Sequence, residues 1–156
     1  MSYLEGENRP LAGNEIECPF CRIAALDDAE ALIVARGKEA YVVMNLYPYN
    51  AGHLLVCTNR HVAELPELTE SERNEVQSLT AQGMKVLRKV SNASGFNIGI
   101  NQGDVSGAGI AGHFHQHIVP RWAGDANFMP IIGKTKVIPK LLQESREQLA
   151  TGWNQI

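Results

Sequence analysis

His113-Phe114-His115-Gln116-His117 puts three imidazoles into five residues, and the other two histidines of the chain are His53 and His61. Histidine titrates closest to neutrality, so it serves as nucleophile, proton carrier or metal ligand with little tuning. In a strand, alternate side chains share a face, so residues 113, 115 and 117 are expected to project together. At about 3.4 Å per residue, the outer two would lie roughly 13–14 Å apart, too far for one metal ion to bind all three. Two readings follow from the spacing. One is a zinc enzyme using an H-x-H pair and a distant third ligand. The other is a row of imidazoles in which one attacks and its neighbours orient or support it. Three unrelated buried histidines would be a coincidence of placement.

The loop before the row is dense in glycine, with Gly103, Gly107, Gly109 and Gly112. Glycine lets backbone N–H groups approach an anion closely. A phosphate cradled there would lie beside the histidines, which favours the nucleophile reading. Cys18-Pro19-Phe20-Cys21 forms a second cluster. Two cysteines at this spacing suit either a zinc knuckle or a redox pair. Cys57, alone in an apolar run, suits a buried small hydrophobe.

The elements that must position these groups follow from the pattern of the 156 residues. Short apolar runs over 31–36 and 39–46, separated by Gly37, predict a hairpin, and 53–57 the next strand. Thr69-Glu70-Ser71-Glu72 is a capping box opening a long amphipathic helix that ends before Gly95. Strands are expected over 96–101 and 113–119, and a C-terminal helix over 139–153 with Pro139 in its first turn. Hairpins, one long helix and further strands favour an α+β domain with an antiparallel sheet. Residues 1–15 read as a loose N-terminal arm, and 16–156 as one domain, a size that supports a real core.

The composition, 44% hydrophobic and 20% charged, is that of an ordinary globular protein, and the net charge of −3 creates no field to gather nucleic acid or an anionic membrane. An anionic ligand must be held locally. No apolar run approaches a membrane span, and the first ten residues lack the basic flank and apolar stretch of a secretory signal. A cytoplasmic protein is expected, in keeping with an odd number of cysteines.

His113-Phe114-His115-Gln116-His117-Ile118-Val119 resembles the signature of the histidine-triad family, His-x-His-x-His followed by two apolar residues. Residues 45–56 are similar to that family's ribose-binding strand and turn, and the similar segments span roughly residues 18–121. The resemblance implies nucleotide hydrolases and nucleotidyl transferases built on an antiparallel sheet and usually homodimeric. Gly107-Ala108-Gly109-Ile110 and residues 120–128 look most like the branch that cleaves diadenosine tetraphosphate by phosphorolysis or hydrolysis. Gly109-Ile110-Ala111 departs from the Gly-Gln-Ser/Thr segment of other branches, at a place that handles the leaving group. Gln116 replaces a usually apolar residue, on the face away from the chemistry.

The resemblance assigns roles. His115 would attack the α-phosphorus and form a nucleotidyl-histidine intermediate, with a same-strand carbonyl holding its other ring nitrogen. His117, His53, His113 and the N–H groups near Ile110 would complete the catalytic surface. Asn45 would hold the ribose, and Asn101, Gln102, Gly107 and Gly109 the phosphates. Phe20, Ile23 and Leu46 are candidates for the base slot. Cys18, Cys21, His61 and His113 would bind a structural zinc, while magnesium can travel with a polyphosphate substrate. An adenosine phosphoramidase, a non-catalytic nucleotide-binding module and a catalytic-zinc hydrolase are the competing readings. Arg121 and Trp122 are candidates for the far side of the cleft, although Trp122 suits core or dimer packing equally. Trp153 has no assigned role. Residues 127–133 are apolar enough to bury against a partner subunit.

Overall fold

A computed structural model describes residues 18–125 and 141–156. The N-terminal arm, the apolar segment 127–133 and Pro139 lie outside the described residues. Among these residues five strands form one antiparallel sheet in the order β1-β2-β3-β5-β4. They are β1 (Ile33–Arg36), β2 (Ala40–Met44), β3 (Leu54–Thr58), β4 (Gly95–Ile100) and β5 (His115–Arg121). Among the described residues three α-helices accompany them: α1 (Pro19–Ala24), α2 (Glu70–Ser91) and α3 (Leu142–Trp153). The α+β expectation is met. Among the described residues no helix is long and apolar enough to cross a membrane.

Strand alternation divides the apolar residues between two faces. Val42, Met44, Leu54, Val56 and Ile118 join Val76, Val86, Leu87 and Leu149 of α2 and α3 in the main core. Ile33, Tyr41, Val43, Leu55 and Cys57 point the other way and are covered by Cys18 and Phe20 from the start of the chain, with Ile110 partly buried against them. Tyr41 donates its hydroxyl to the Phe20 carbonyl at 2.8 Å, which anchors α1 to the sheet. The second, thinner layer carries two of the candidate histidines. Cys57 lies opposite His115 and Leu55 opposite His117, so both imidazoles share its face.

The capping box forms as expected, with Glu72 N–H donating to Thr69 Oγ1 at 3.1 Å and Thr69 N–H to Glu72 Oε2 at 2.8 Å. α2 ends before Gly95 as expected, where Asn92 takes the left-handed conformation (φ 53°) and caps it. The hairpin at Gly37 also forms, for a tertiary reason. Glu75 of α2 accepts from the backbone N–H groups of Lys38, Glu39 and Ala40 at 2.5–3.0 Å. A Cβ on Gly37 would lie 2.7 Å from that carboxylate. A half-buried carboxylate bonded to three backbone donors stabilises by more than one neutral hydrogen bond. Glu75→Ala should therefore lower unfolding free energy by about 2 kcal/mol, measured by urea denaturation. Gly37→Ala should be destabilising in the same assay.

Candidate active site

β5 begins at His115, two residues later than the spacing suggests. The reason is local. Phe114 donates its N–H to the Val62 carbonyl rather than to a neighbouring strand. His113 therefore leaves the row, and its ring turns toward the cysteines. Its Nε2 donates to the Thr58 carbonyl at 2.8 Å. The lone pair on Nδ1 then faces Cys18 Sγ at 3.3 Å and Cys21 Sγ at 3.5 Å. His61 Nδ1 lies 3.4 Å from Cys21 Sγ. One donor atom from each of Cys18, Cys21, His61 and His113 falls within 4.8 Å of all the others. A tetrahedral zinc with arms of about 2.0–2.3 Å has donor–donor edges of roughly 3.3–3.8 Å; the three sulfur–nitrogen separations of 3.3, 3.4 and 3.5 Å match such edges, and two thiols with two imidazoles are the donor set of a closed four-coordinate site. The Thr58 carbonyl on the far nitrogen of His113 is the kind of outer contact that fixes a ligating imidazole.

His115 receives something different from its neighbour. Its Nδ1 donates to the His113 carbonyl at 2.8 Å. Burial lowers its pKa, opposed by that bond. The ring is therefore neutral at pH 7, with its proton on Nδ1 and a lone pair on Nε2. Phe20 packs against it at 5.0 Å between ring centroids and also touches His113 at 5.5 Å. Phe20 thus walls the nucleophile candidate from the α1 side, with half-buried Ile23 in the same layer, while Leu46 is exposed.

The protonation of the remaining pair follows from one backbone group. Tyr49 N–H donates to His53 Nδ1 at 3.0 Å, and Asn45 Nδ2 lies 3.2 Å from the same atom. An atom accepting a backbone N–H carries no proton, so His53 is neutral with its proton on Nε2. That proton goes to His117 Nδ1 at 2.9 Å. Burial, with a smaller contribution from His115, pushes His117 down to about 4. Its proton must then sit on Nε2, which is buried and has no partner among the described residues. The rings of His115 and His117 meet edge to face at 5.2 Å. The result is a lone pair and an N–H donor side by side. The buried amide nitrogen of Gln102 is likewise without a partner among the described residues. A buried donor left unpaired is costly, so such groups commonly await a ligand.

The other site candidates take varied positions. Asn45 is already engaged, donating toward His53 and accepting from Tyr47 N–H at 2.9 Å. Gly107 (φ 81°) ends the short helical turn Asp104–Ser106, leaving Gly109 and Ile110 half-buried beside the Phe20 layer. Asn101 is half-buried. Gln116 points to α2 as expected and donates to Thr80 Oγ1 at 2.8 Å. Arg121, a candidate for the far side of the cleft, is held by its neighbours on the surface of the fold. Its guanidinium is clamped by both oxygens of Asp125 at 2.7 Å and also reaches Asn97. Trp122 faces inward, bonding the Ser91 carbonyl at 3.1 Å and packing on the core, as does Trp153. Tyr49, Thr58, Asn50 and Asp125 escape a reading by residue type. Their contributions run through backbone groups or through long-range bonds that spacing does not encode.

With this geometry in place, comparison with known proteins is decisive at the family level. The HIT domain family matches residues 27–124. The chain belongs to that family. It is 52% identical over 135 residues to the AP-4-A phosphorylase of Mycobacterium tuberculosis, covering 86% of this chain and 69% of that protein. It is 38% identical to the asymmetrical bis(5'-nucleosyl)-tetraphosphatase of Schizosaccharomyces pombe, over 58% of this chain and 49% of the relative. Among solved structures, a Zn-bound histidine triad family protein from Mycobacterium smegmatis superimposes with a TM-score of 0.74 at 22% identity, covering 91% of this chain and 96% of that one. This last likeness establishes a shared HIT fold.

The neutral His117 has a thermodynamic signature. Its folded value of about 4 lies below the ordinary 6.5. Between those values the unfolded chain binds a proton that the folded one does not, so stability falls as pH drops through that window. Urea midpoints measured from pH 7 to pH 4 should decline, and the decline should be shallower in His117→Asn.

Proposed function

We propose that this chain cleaves dinucleoside polyphosphates of the diadenosine tetraphosphate type at the α-phosphate, through a covalent nucleotidyl-histidine. The observation that carries the reading is the arrangement at His115: Nδ1–H tied to the His113 carbonyl, and a free lone pair on Nε2 beside the unpaired Nε2–H of His117. The names of the relatives from M. tuberculosis and S. pombe support the substrate class.

His115 Nε2 attacks the α-phosphorus. A P–N bond forms, the bridging P–O bond breaks, and the leaving nucleoside polyphosphate carries off the electron pair. The positive charge that develops on the imidazole faces the His113 carbonyl dipole. Negative charge on the phosphoryl oxygens meets His117 Nε2–H, the Gln102 amide and the N–H groups of the glycine loop near Gly107, Gly109 and Ile110. An oxygen of water or inorganic phosphate then displaces the ring, and the P–N electrons return to Nε2. Phe20 and Ile23 border the base slot, and Asn45, Asn101 and His53 support the ribose and phosphate side. Magnesium, where used, arrives with the polyphosphate.

Cys18, Cys21, His61 and His113 hold a zinc ion in this reading. With four protein ligands it would serve structure, tying α1 and the 58–62 segment to the peptide that orients His115.

His115→Asn should reduce turnover of diadenosine tetraphosphate by at least about 10⁴-fold while nucleotide binding, read by calorimetry, persists. Products of the wild-type reaction with and without inorganic phosphate identify the acceptor: ADP plus ATP for phosphate, AMP plus ATP for water. Undiminished turnover in the variant would refute the covalent route. For the metal, protein purified without chelator should contain about one zinc per chain by elemental analysis. Cys18→Ser with Cys21→Ser should lose it, together with several kcal/mol of stability, which at about 2–4 °C per kcal/mol is a Tm fall near 10 °C.

A further inference from the structure

β3 begins at Leu54, which pairs with Ile118, so the last three residues of β5 have no β3 partner on that edge. The turn over residues 45–53 fills the gap through Asn50. Its Nδ2 donates to the Pro120 carbonyl at 3.1 Å and to Asp125 Oδ2 at 2.9 Å. Its own carbonyl accepts from His53 N–H at 3.2 Å. Asp125 in turn accepts from Arg121 Nε and from Trp122 N–H with the same oxygen, at 2.7 and 3.0 Å. Arg121 beside it holds the carboxyl well below the usual carboxylate range, so the clamp is charged. Gly52 permits the tight return to His53 with φ 76°. The residue next to Asn50 is Tyr49, whose N–H fixes the His53 tautomer and whose ring stacks on His117 at 5.7 Å and 16°.

We propose that Asp125 and Asn50 are positioning residues for the reaction: they hold the 45–53 turn against the end of β5 so that Tyr49 N–H stays on His53 Nδ1. The inference rests on the function proposed above. The consequence propagates along two rings. With Tyr49 N–H in place, His53 donates from Nε2, His117 accepts at Nδ1, and His117 presents Nε2–H to the phosphoryl group. If the turn swings away, His53 can carry its proton on Nδ1. Its Nε2 then becomes an acceptor, His117 must donate from Nδ1, and a lone pair faces the phosphoryl oxygens instead of a proton. Tyr49 would also lift from His117. The base slot beside Phe20 and Ile23 lies outside the turn, so ground-state binding there would change little, whereas stabilisation of the developing charge would be lost.

The test is direct observation of tautomers in ligand-free protein labelled with ¹⁵N-histidine, by long-range ¹H–¹⁵N correlation, combined with steady-state kinetics. Wild-type protein should show the Nε2–H form at both His53 and His117. Asp125→Ala and Asn50→Ala should show mixed tautomers at both rings, with kcat down by about 10- to 100-fold and KM within about threefold. Asp125→Asn serves if the alanine variant fails to fold, and should fall between the two. Asn97→Ala, which removes another contact of Arg121 without touching the turn, should match wild type. In a His53→Ala background, Asn50→Ala should add less than about a twofold further loss, since both act through one path. Unchanged tautomers in both alanine variants would overturn the proposal, as would losses that remain fully additive with His53→Ala. The tautomer readout does not depend on turnover, so a failed covalent route, shown by an active His115→Asn, is distinguishable from a failed positioning role.

Discussion

The hydrogen bond from His115 Nδ1 to the His113 carbonyl sets the character of the whole site. It decides which ring nitrogen is left with a lone pair, and it aims that lone pair away from the strand. The bond exists because the chain is not yet a regular strand at residue 113. Phe114 N–H binds the Val62 carbonyl, so the residue before it can turn its ring to the cysteines while its carbonyl serves the next imidazole. One residue thereby joins two centres. Its side chain belongs to the cysteine–histidine cluster, and its backbone belongs to the nucleophile candidate.

The second half of the site is ordered by donors on His53 Nδ1, the Tyr49 N–H foremost with the Asn45 amide beside it. Tyr49 donates to His53, His53 to His117, and the last proton in the chain is left pointing at nothing among the described residues. Burial does the complementary work by keeping the rings uncharged, so that each has one donor and one acceptor and the order cannot be scrambled by a second proton. A lone pair and a donor set side by side on buried rings suit attack at phosphorus with stabilisation of the adjacent oxygens. The same two groups exposed to water would be satisfied by solvent and less able to discriminate a transition state.

Support for this arrangement comes from distant parts of the chain. Arg60, next to His61, donates to both oxygens of Glu72, the residue that also closes the α2 capping box. That pairing draws Glu72 down to about 2 and couples the loop of a candidate metal ligand to the start of the long helix. Glu75, one turn further on, holds the β1–β2 hairpin. α2 is therefore more than a cover for the core. Its first turns fix the outer strands and the His61 segment, and its middle receives Gln116 from the back of β5.

Residue types and spacing were enough for the capping box, the turn at Gly37, the α+β class and the proximity of His115 to His117, while family resemblance grouped two cysteines with two histidines. These are legible because they depend on local periodicity or on side chains with few other uses. The exit of His113 from the row, the contact of Arg121 with Asn97 and the tautomers of His53 and His117 were decided by tertiary structure. Each turns on which backbone group or charge stands a few ångströms away across the fold. A sequence states that a histidine is present; only its neighbours in space determine where the proton sits.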